Sequence, residues 1–135
     1  MSQENVEFVR RAIDAFNRQD LVALAGFCAD DFEFVSMLTA VEAGGSTYRG
    51  QGAWTEYFGR MNDTWSEWWV EDFQVFDAED DSLVAVVRVA GRGHQSGVAV
   101  GRTIGMTYRL REGKLWRMRA YLEPDEALKA VGLSE

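Results

Sequence analysis

The chain contains one histidine and one cysteine, so its acid–base and nucleophilic chemistry has few sources. His94 is the one side chain whose ordinary pKa lies close to neutral pH. In a predicted turn at the rim of a pocket, it could act as a general base together with Glu33 or another rim carboxylate. The alternative for His94 is a solvated turn residue. Ser36 or Cys28 could act as a nucleophile only with a base within hydrogen-bonding reach.

Arginine dominates the basic residues and is concentrated in the second half of the chain. Guanidinium groups bind carboxylates in a fixed geometry, which would suit an anion-binding site. The alternative, which we favour, is an ion-paired sheet face or dimer interface, with Glu67, Glu71 and Asp72 on a neighbouring strand as partners. The arginines concerned are Arg88, Arg92, Arg102, Arg117 and Arg119, of which Arg88, Arg117 and Arg119 are expected at a homodimer interface.

The sequence predicts no metal site and no cofactor. One cysteine and one histidine cannot build a structural zinc site. Residues 77–82 resemble the start of a calcium loop, but Ser82 replaces its sixth-position glycine and Arg88 its final glutamate. Residues 91–96 lack the third glycine of a dinucleotide fingerprint and are expected to form a hairpin.

Length and charge exclude several classes of protein. The 135 residues fit one domain, and 47% hydrophobic residues predict a packed core. A net charge of −8 argues against a nucleic-acid partner. Trp65, Trp68 and Trp69 are therefore expected at the sheet surface or a dimer contact rather than stacked on bases. Apolar runs such as residues 83–87 are too short to cross a membrane, and the polar N-terminus and single cysteine predict a cytoplasmic protein.

The first half of the chain is predicted to be mainly helical. Apolar residues recur at helical spacing over residues 3–18, and Asp20 is a candidate N-cap for a second helix running to Cys28. Residues 32–38 predict a strand, residues 41–49 a loop, and residues 51–63 a third helix.

The second half changes to the two-residue period of strands. Strands are predicted at residues 68–76, 83–90, 98–110 and 115–122, with a glycine-containing hairpin at 111–114. Pro124 begins a short helix that ends at Gly132. Three helices followed by an antiparallel meander indicate an α+β fold, with helices covering one face of a curved sheet.

Alternation assigns two of the strands to faces. Trp116, Met118, Ala120 and Leu122 are expected to face the helices, and the intervening arginines the opposite side. The strand at 98–110 is ambiguous. If Arg102 joins the other arginines, very small residues, including Thr103, line the inner face and leave room for a ligand.

Several motifs in their order and spacing resemble the SnoaL-like branch of the NTF2-like superfamily, over nearly the whole chain. The motifs are NVEFVRRA at 5–12, FNRQDL at 16–21, ADDFEF at 29–34, YRG at 48–50 and DEALKAVGL at 125–133. The resemblance implies one domain over residues 1–135. Its implied fold is a cone of N-terminal helices packed on a curved, mixed but mainly antiparallel sheet, with a short C-terminal helix. It also implies a pocket in the mouth of the cone and frequent dimerisation.

The chemistry of this superfamily varies, and its catalytic side chains are replaced here. The positions that resemble the isomerase base, oxyanion tyrosine, second acid and supporting tyrosine hold Ser36, Ala12, Thr103 and Phe58. The position that resembles the cyclase aspartate holds Ala120. Steroid isomerisation and cyclisation by those mechanisms are therefore not expected.

The resulting prediction is a pocket for a small apolar or polycyclic molecule, with no assignable catalytic set. Two alternatives remain: an isomerase, cyclase, dehydratase or hydrolase with a non-standard acid or base such as His94, and an interaction domain whose pocket is filled. The expected pocket residues are Phe16, Phe34, Ser36, Trp54, Phe58, Met61, Val87, Thr103, Met118 and Leu122, with Cys28 beside them.

Overall fold

The first two helices follow from the apolar spacing near the N-terminus. In the computed structural model, which describes residues 2–36, 46–94 and 97–133, α1 spans Ser2–Asn17 and α2 spans Leu21–Phe27. The predicted N-cap is confirmed, because the Asp20 carboxylate accepts a hydrogen bond of 3.1 Å from the Ala23 amide. Gln19, with φ of 55°, turns the chain between the two helices.

The other two helices also form where they are predicted. Helix α3 spans Ala53–Thr64 and buries Trp54, Tyr57, Phe58 and Met61, which share one face at helical spacing. Helix α4 spans Pro124–Ala130, with proline in its first turn. It ends in a left-handed Gly132, and the Leu133 amide bonds the Leu128 carbonyl at 2.8 Å.

Six strands form one sheet in the order β2-β1-β6-β5-β4-β3. All neighbours are antiparallel except β1 and β6, which are parallel, so the sheet is mixed but mainly antiparallel. The strands are β1 (Cys28–Ser36), β2 (Ser46–Arg49), β3 (Trp65–Asp77), β4 (Ser82–Gly93), β5 (Ala99–Arg111) and β6 (Lys114–Tyr121).

Several boundaries differ from the prediction, three of them through strand pairing or chain order. Residues 46–49 were expected in a loop but pair with β1, with Tyr48 opposite Phe34. Strand β1 begins at Cys28, directly after α2, and β4 continues to Gly93 because it pairs with the long β3.

Parts of three predicted segments lie outside the described residues. These are residues 37–38 of the first predicted strand, 41–45 of the predicted loop and 95–96 of the hairpin expected after β4.

A bulge changes the face assignment in β6. The pairing shifts between Arg109 and Leu110, so Leu110 lies opposite Leu115 while Arg109 lies opposite Arg117. Leu115 is thus fully buried. The expectation that Trp116 faces the helices is wrong, because the extra residue turns its ring toward the arginines; the Arg117 guanidinium lies 4.3 Å from the ring centroid.

The ambiguity in β5 is resolved by its pairing with β4. Ile104 lies opposite Val87 and Tyr108 opposite Leu83, so these residues share the face that packs against α1 and α3, hereafter the inner face. Arg102 lies two residues before Ile104 and is therefore on the same face of the strand. Thr103 lies opposite Arg88 on the other side, the outer face, and is exposed, so its prediction as a pocket residue is wrong.

The C-terminal helix does not join the three N-terminal helices. It packs on the outer face over β5, where a Cβ atom on Gly105 would lie 2.5 Å from the Ala127 Cβ and 3.1 Å from the Pro124 Cα. Val84 and Ala127 are fully buried in this contact, which is separate from the main hydrophobic core between the sheet and the N-terminal helices. Glycine at 105 is what permits this close approach.

We predict that Gly105→Ala lowers the free energy of unfolding by about 1–3 kcal/mol, because the added methyl group must push α4 off the sheet. Gly59 is the matched control, since a Cβ atom there meets nothing within 4 Å. Gly59→Ala in α3 should raise stability by up to about 1 kcal/mol. Urea denaturation of both variants checks this, and equal effects would contradict the packing of α4 on Gly105.

Candidate functional site

Between the helices and the inner face of the sheet lies a cavity of about 70 Å³, the first cavity. Helix α1 supplies Phe16, α3 supplies Trp54 and Tyr57, and the rest of the wall is mostly aliphatic or sulfur-containing. The lining residues are Ala12, Ile13, Phe16, Leu24, Phe34, Trp54, Tyr57, Val70, Val87, Val89, Ile104, Met106, Tyr108, Leu115, Met118 and Ala120.

A second cavity of about 180 Å³ adjoins the first and shares Phe16, Tyr57 and Val89 with it. Its remaining wall is rich in tryptophan. Gly91 makes this possible, since a Cβ atom there would lie 2.9 Å from the Trp65 ring. The lining residues are Phe16, Tyr57, Met61, Trp65, Trp68, Trp69, Val89, Ala90, Gly91, Val100, Gly101 and Arg102.

The aromatic walls hold one another in place. The Phe16 ring makes edge contacts with Trp54 and Phe58 at centroid distances of 6.1 and 5.3 Å. Trp54 stacks on Phe32 at 5.8 Å, and Phe58 meets Trp68 edge-on at 5.6 Å. Such pairs stabilise fixed ring orientations, so the apolar wall is preorganised.

Tyr108 is the unusual polar group of the first cavity. Burial alone raises the pKa of its hydroxyl far above the usual range, so the phenol is neutral at physiological pH. The residue is 3% exposed. Tyr108 was not among the pocket residues predicted from the sequence. It could have been found there, because Ile104, Met106 and Tyr108 alternate along β5 and therefore share one face.

Two buried donors have no hydrogen-bond partner within the described ranges, the Tyr48 hydroxyl and the Trp68 indole N–H. Tyr48 lines neither cavity, whereas Trp68 belongs to the second. Of these two donors, the Trp68 indole N–H is therefore the one that lies along a cavity.

Cys28 is tied to the wall rather than available for attack. Its thiol donates to the Leu24 carbonyl and accepts from the Trp54 indole N–H, each at 3.3 Å. Burial raises the pKa of the thiol from 9.0 to about 11, because the thiolate would lose its hydration; the Trp54 hydrogen bond and Lys114 act in the opposite direction. A thiol with this pKa is a poor nucleophile at neutral pH.

The structure does not assemble the acid–base pair considered from the sequence. His94 is exposed, lines neither cavity, and its ring Nε2 lies 2.7 Å from the Asn62 carbonyl. Glu33 instead contacts Arg49 at 2.9 Å and Arg117 at 3.8 Å on the outer face. No histidine or carboxylate belongs to either lining over the described ranges.

The predicted pocket residues divide between several places. The first cavity brings together Phe16, Phe34, Trp54, Val87 and Met118, and the second brings Phe16 together with Met61. Ser36 and Phe58 are buried, Leu122 is half-buried, and all three, like Cys28, lie outside both linings.

The tryptophans also differ from expectation. Trp65, Trp68 and Trp69 were expected at a surface or dimer contact, but they line the second cavity because β3 begins directly at the end of α3.

A family model for the SnoaL-like domain matches residues 9–118 of the chain. The chain belongs to the SnoaL-like family. None of the curated proteins matches the sequence.

Solved structures agree with this fold. A candidate polyketide cyclase from Xanthomonas campestris pv. campestris is 23% identical over 97% of this chain and 98% of its own, with a TM-score of 0.76. An NTF2-like protein of unknown function from Burkholderia pseudomallei is 16% identical over 95% and 97%, with a TM-score of 0.77. TerC, co-crystallised with polyporic acid, is 16% identical over 94% and 96%, also with a TM-score of 0.77. At these identities the likeness establishes the NTF2-like fold.

Much of the arginine content of this SnoaL-like domain is used in ion pairs. Cross-strand pairing with the acidic residues of β3 is confirmed for Arg88–Glu71 at 3.0 Å and Arg92–Glu67 at 3.1 Å. These pairs are exposed, so each contributes at most about 1 kcal/mol. Arg102 does not share the outer face with Arg88; it lies at the edge of the second cavity and pairs with Glu123 at 2.9 Å.

Over the described ranges 2–36, 46–94 and 97–133, the SnoaL-like domain has no cluster of three or more His, Cys, Asp or Glu side chains that could hold a metal ion. Within the same ranges, no helix has the length and hydropathy needed to span a membrane.

The raised pKa of Cys28 predicts a specific loss of stability in alkali. Between pH 9 and about 11 the folded thiol keeps a proton that the unfolded chain releases, so the free energy of unfolding falls as pH rises. Cys28→Ala removes this contribution and should show a shallower decline across that window. Urea denaturation at several pH values measures both slopes, and parallel curves would contradict a shielded thiol.

Proposed function

We propose that this SnoaL-like domain binds a small apolar molecule carrying an aromatic ring in the two adjoining cavities. The observation that carries the proposal is that fixed aromatic walls leave these cavities open instead of filling them. Well-packed interiors contain few voids larger than a water molecule, so open space of this size costs stability. Binding of a ligand would recover the lost contacts.

The size and chemistry of the space support a ring-sized ligand. An apolar cavity of about 150 Å³ accommodates benzene, and the second cavity alone has about 180 Å³. The rings of Trp54 and Trp68 offer surfaces for aromatic contact. The co-crystal of TerC with polyporic acid provides a precedent within the fold for a small-molecule complex.

Binding is favoured over acid–base turnover. The described residues that line the cavities include no imidazole and no carboxylate, and their one formal charge, on Arg102, is paired with Glu123. General acid–base catalysis needs a titratable group within hydrogen-bonding reach of the reacting atom. The side chains that could supply one, His94 and Glu33, are directed to other partners.

The test uses the methyl signals of the two isoleucines, Ile13 and Ile104, which both line the first cavity and are the only isoleucines in the sequence. We expect α-methylstyrene, a ring-sized hydrocarbon, to shift both δ1-methyl signals in a saturable titration. Ala120→Leu, which extends a side chain into the first cavity, should abolish the shifts. Thr103→Leu, on the exposed outer face of the same sheet, is the matched control and should leave them unchanged.

Absence of saturable shifts in the wild-type protein would contradict the proposal, as would equal effects of the two variants. Native mass spectrometry of freshly purified protein, followed by denaturing extraction, then identifies any ligand that the protein retains. Retention by wild-type protein and loss in Ala120→Leu would connect that ligand to the cavity.

We also propose a cytoplasmic homodimer that associates through the outer face. Its single cysteine is unpaired, in keeping with a reducing compartment. Arg88 and Arg117 are ion-paired within the chain, whereas Arg119 forms no ion pair among the described residues and lies over the Tyr121 ring at 5.3 Å. Arg119 is thus suited to a carboxylate of a second copy.

If this interface exists, Arg119→Glu should weaken self-association at least several-fold, because it places like charges against the partner's acidic residues. Arg18→Glu, at an exposed position directly after α1, serves as the charge-matched control and should have little effect. Sedimentation velocity over a concentration series gives both dissociation constants. A wild-type monomer at all concentrations would overturn the proposed dimer.

A further inference from the structure

The second cavity contains a buried hydrogen-bond donor for which the described part of the chain supplies no acceptor. Trp68 is 7% exposed, and its indole N–H bonds to none of the residues that the structure describes. The edge contact with Phe58 at 5.6 Å fixes the indole ring, so it cannot turn freely toward an acceptor elsewhere. A buried donor without a partner destabilises the fold, and such donors are rare. An acceptor on a bound ligand would remove this cost.

Arg102 is a second donor along the same cavity, and only part of its guanidinium group is in use. Its Nη2 atom donates to the Glu123 carboxylate at 2.9 Å and to the Leu122 carbonyl at 3.4 Å. Over the described ranges, Nε and Nη1 form no hydrogen bond. A guanidinium has five N–H donors, so most of this group is available to a ligand. The side chain is 52% exposed, which places it at the solvent edge of the cavity.

The strand register brings the two donors within reach of one small ligand. Trp68 lies opposite Gly91, which lies opposite Val100. Arg102 is two residues further along β5. Two strand spacings and the rise of two residues separate the Trp68 and Arg102 Cα atoms by about 12 Å. Because both side chains line the same cavity, a ligand between them can accept hydrogen bonds from both.

We propose that the second cavity binds a small aromatic carboxylate, whose carboxylate group accepts hydrogen bonds from the Arg102 guanidinium and the Trp68 indole N–H. This inference rests on the proposed function and narrows the ligand to a ring with one anionic end. An ionised carboxylate has two oxygens that only accept, so it can bond to both side chains without adding an unpaired donor. It also matches the flat edge of a guanidinium, which binds carboxylates through two parallel hydrogen bonds.

The size and charge of the cavity fit an aromatic acid better than a cation. The volume of about 180 Å³ exceeds the roughly 150 Å³ that accommodates benzene, and a carboxylate adds little bulk to a ring. A cation would meet the charge of Arg102 and leave the Trp68 donor without a partner. At the half-exposed edge beside Arg102, a carboxylate keeps part of its hydration, which limits the cost of moving its charge out of water. The ring of the ligand then lies among the tryptophans.

The test compares benzoate with α-methylstyrene, which has nearly the same size and shape but neither a charge nor an oxygen acceptor. Dissociation constants are measured from the methyl signals of Val89, which lines both cavities, in wild type, Arg102→Gln and Trp68→Phe. Arg49→Gln is the charge-matched control, because it also removes an exposed, ion-paired arginine but lies in β2 at the opposite edge of the sheet from β3. Trp116→Phe controls for loss of an indole on the outer face.

We expect Arg102→Gln and Trp68→Phe each to weaken benzoate binding about tenfold relative to α-methylstyrene, because each removes a hydrogen bond to a charged group. Arg49→Gln and Trp116→Phe should leave the ratio of the two dissociation constants unchanged. The Trp68 indole N–H signal is assigned in wild type from its contacts with the Phe58 ring. Benzoate should move this signal downfield, as a new hydrogen bond does, and α-methylstyrene should not. This measurement does not depend on the folding of Trp68→Phe.

A ratio that Arg102→Gln leaves unchanged would overturn the inference while leaving the cavity proposal standing. An unmoved Trp68 indole signal at saturating benzoate would do the same. Equal weakening by Arg49→Gln would mean that benzoate is attracted to surface arginines in general, and would also overturn the inference. If neither probe binds the wild-type protein, the proposed function and this inference fall together.

Discussion

The two-residue period of β5, fixed by its pairing with β4 and β6, is the constraint on which the remaining architecture depends. With Ile104 opposite Val87 and Tyr108 opposite Leu83, one set of side chains must face α1 and α3. The alternate set then faces outward, where Gly105 leaves room for α4 at van der Waals distance. A shift of one residue would put glycine and threonine against the helices and drive the bulky apolar residues into α4. One register thus determines both the cavity wall and the position of the C-terminal helix.

The cavities persist because the groups around them are rigid. Phe16, Trp54 and Phe58 make several ring contacts each, and aromatic side chains have few rotamers with which to fill a void. The strand side is equally constrained by the sheet pairing. Collapse would require α1 or α3 to move as a unit, and the Asn17–Val70 hydrogen bonds of 2.8 and 3.0 Å hold the end of α1 to β3. Open space of this kind reduces stability, because the surrounding atoms lose packing contacts.

Sequence patterns predicted those features that depend on local chemistry. The Asp20 cap, the hairpin at Glu112 and Gly113 with positive φ at both residues, and the Pro124 helix all form as predicted. The faces of Trp116 and Thr103 were mispredicted because alternation cannot reveal a bulge, nor decide between two plausible faces of one strand. The pairing of β5 with β4 and of β6 with β5 determines both faces. Likewise β2 follows a glycine-containing segment and forms a strand through pairing with β1.

Strand alternation keeps the charged side chains of the sheet largely away from the two cavities. The alternation of side chains that places Tyr108 on the inner face places Glu33 and Arg117 on the outer face. There the Glu33 carboxylate and the Arg117 guanidinium lie 3.8 Å apart. The inward positions that resemble the catalytic acids of related folds hold Ser36 and Ala120, so removal of a ligand proton has no acceptor among the described lining residues.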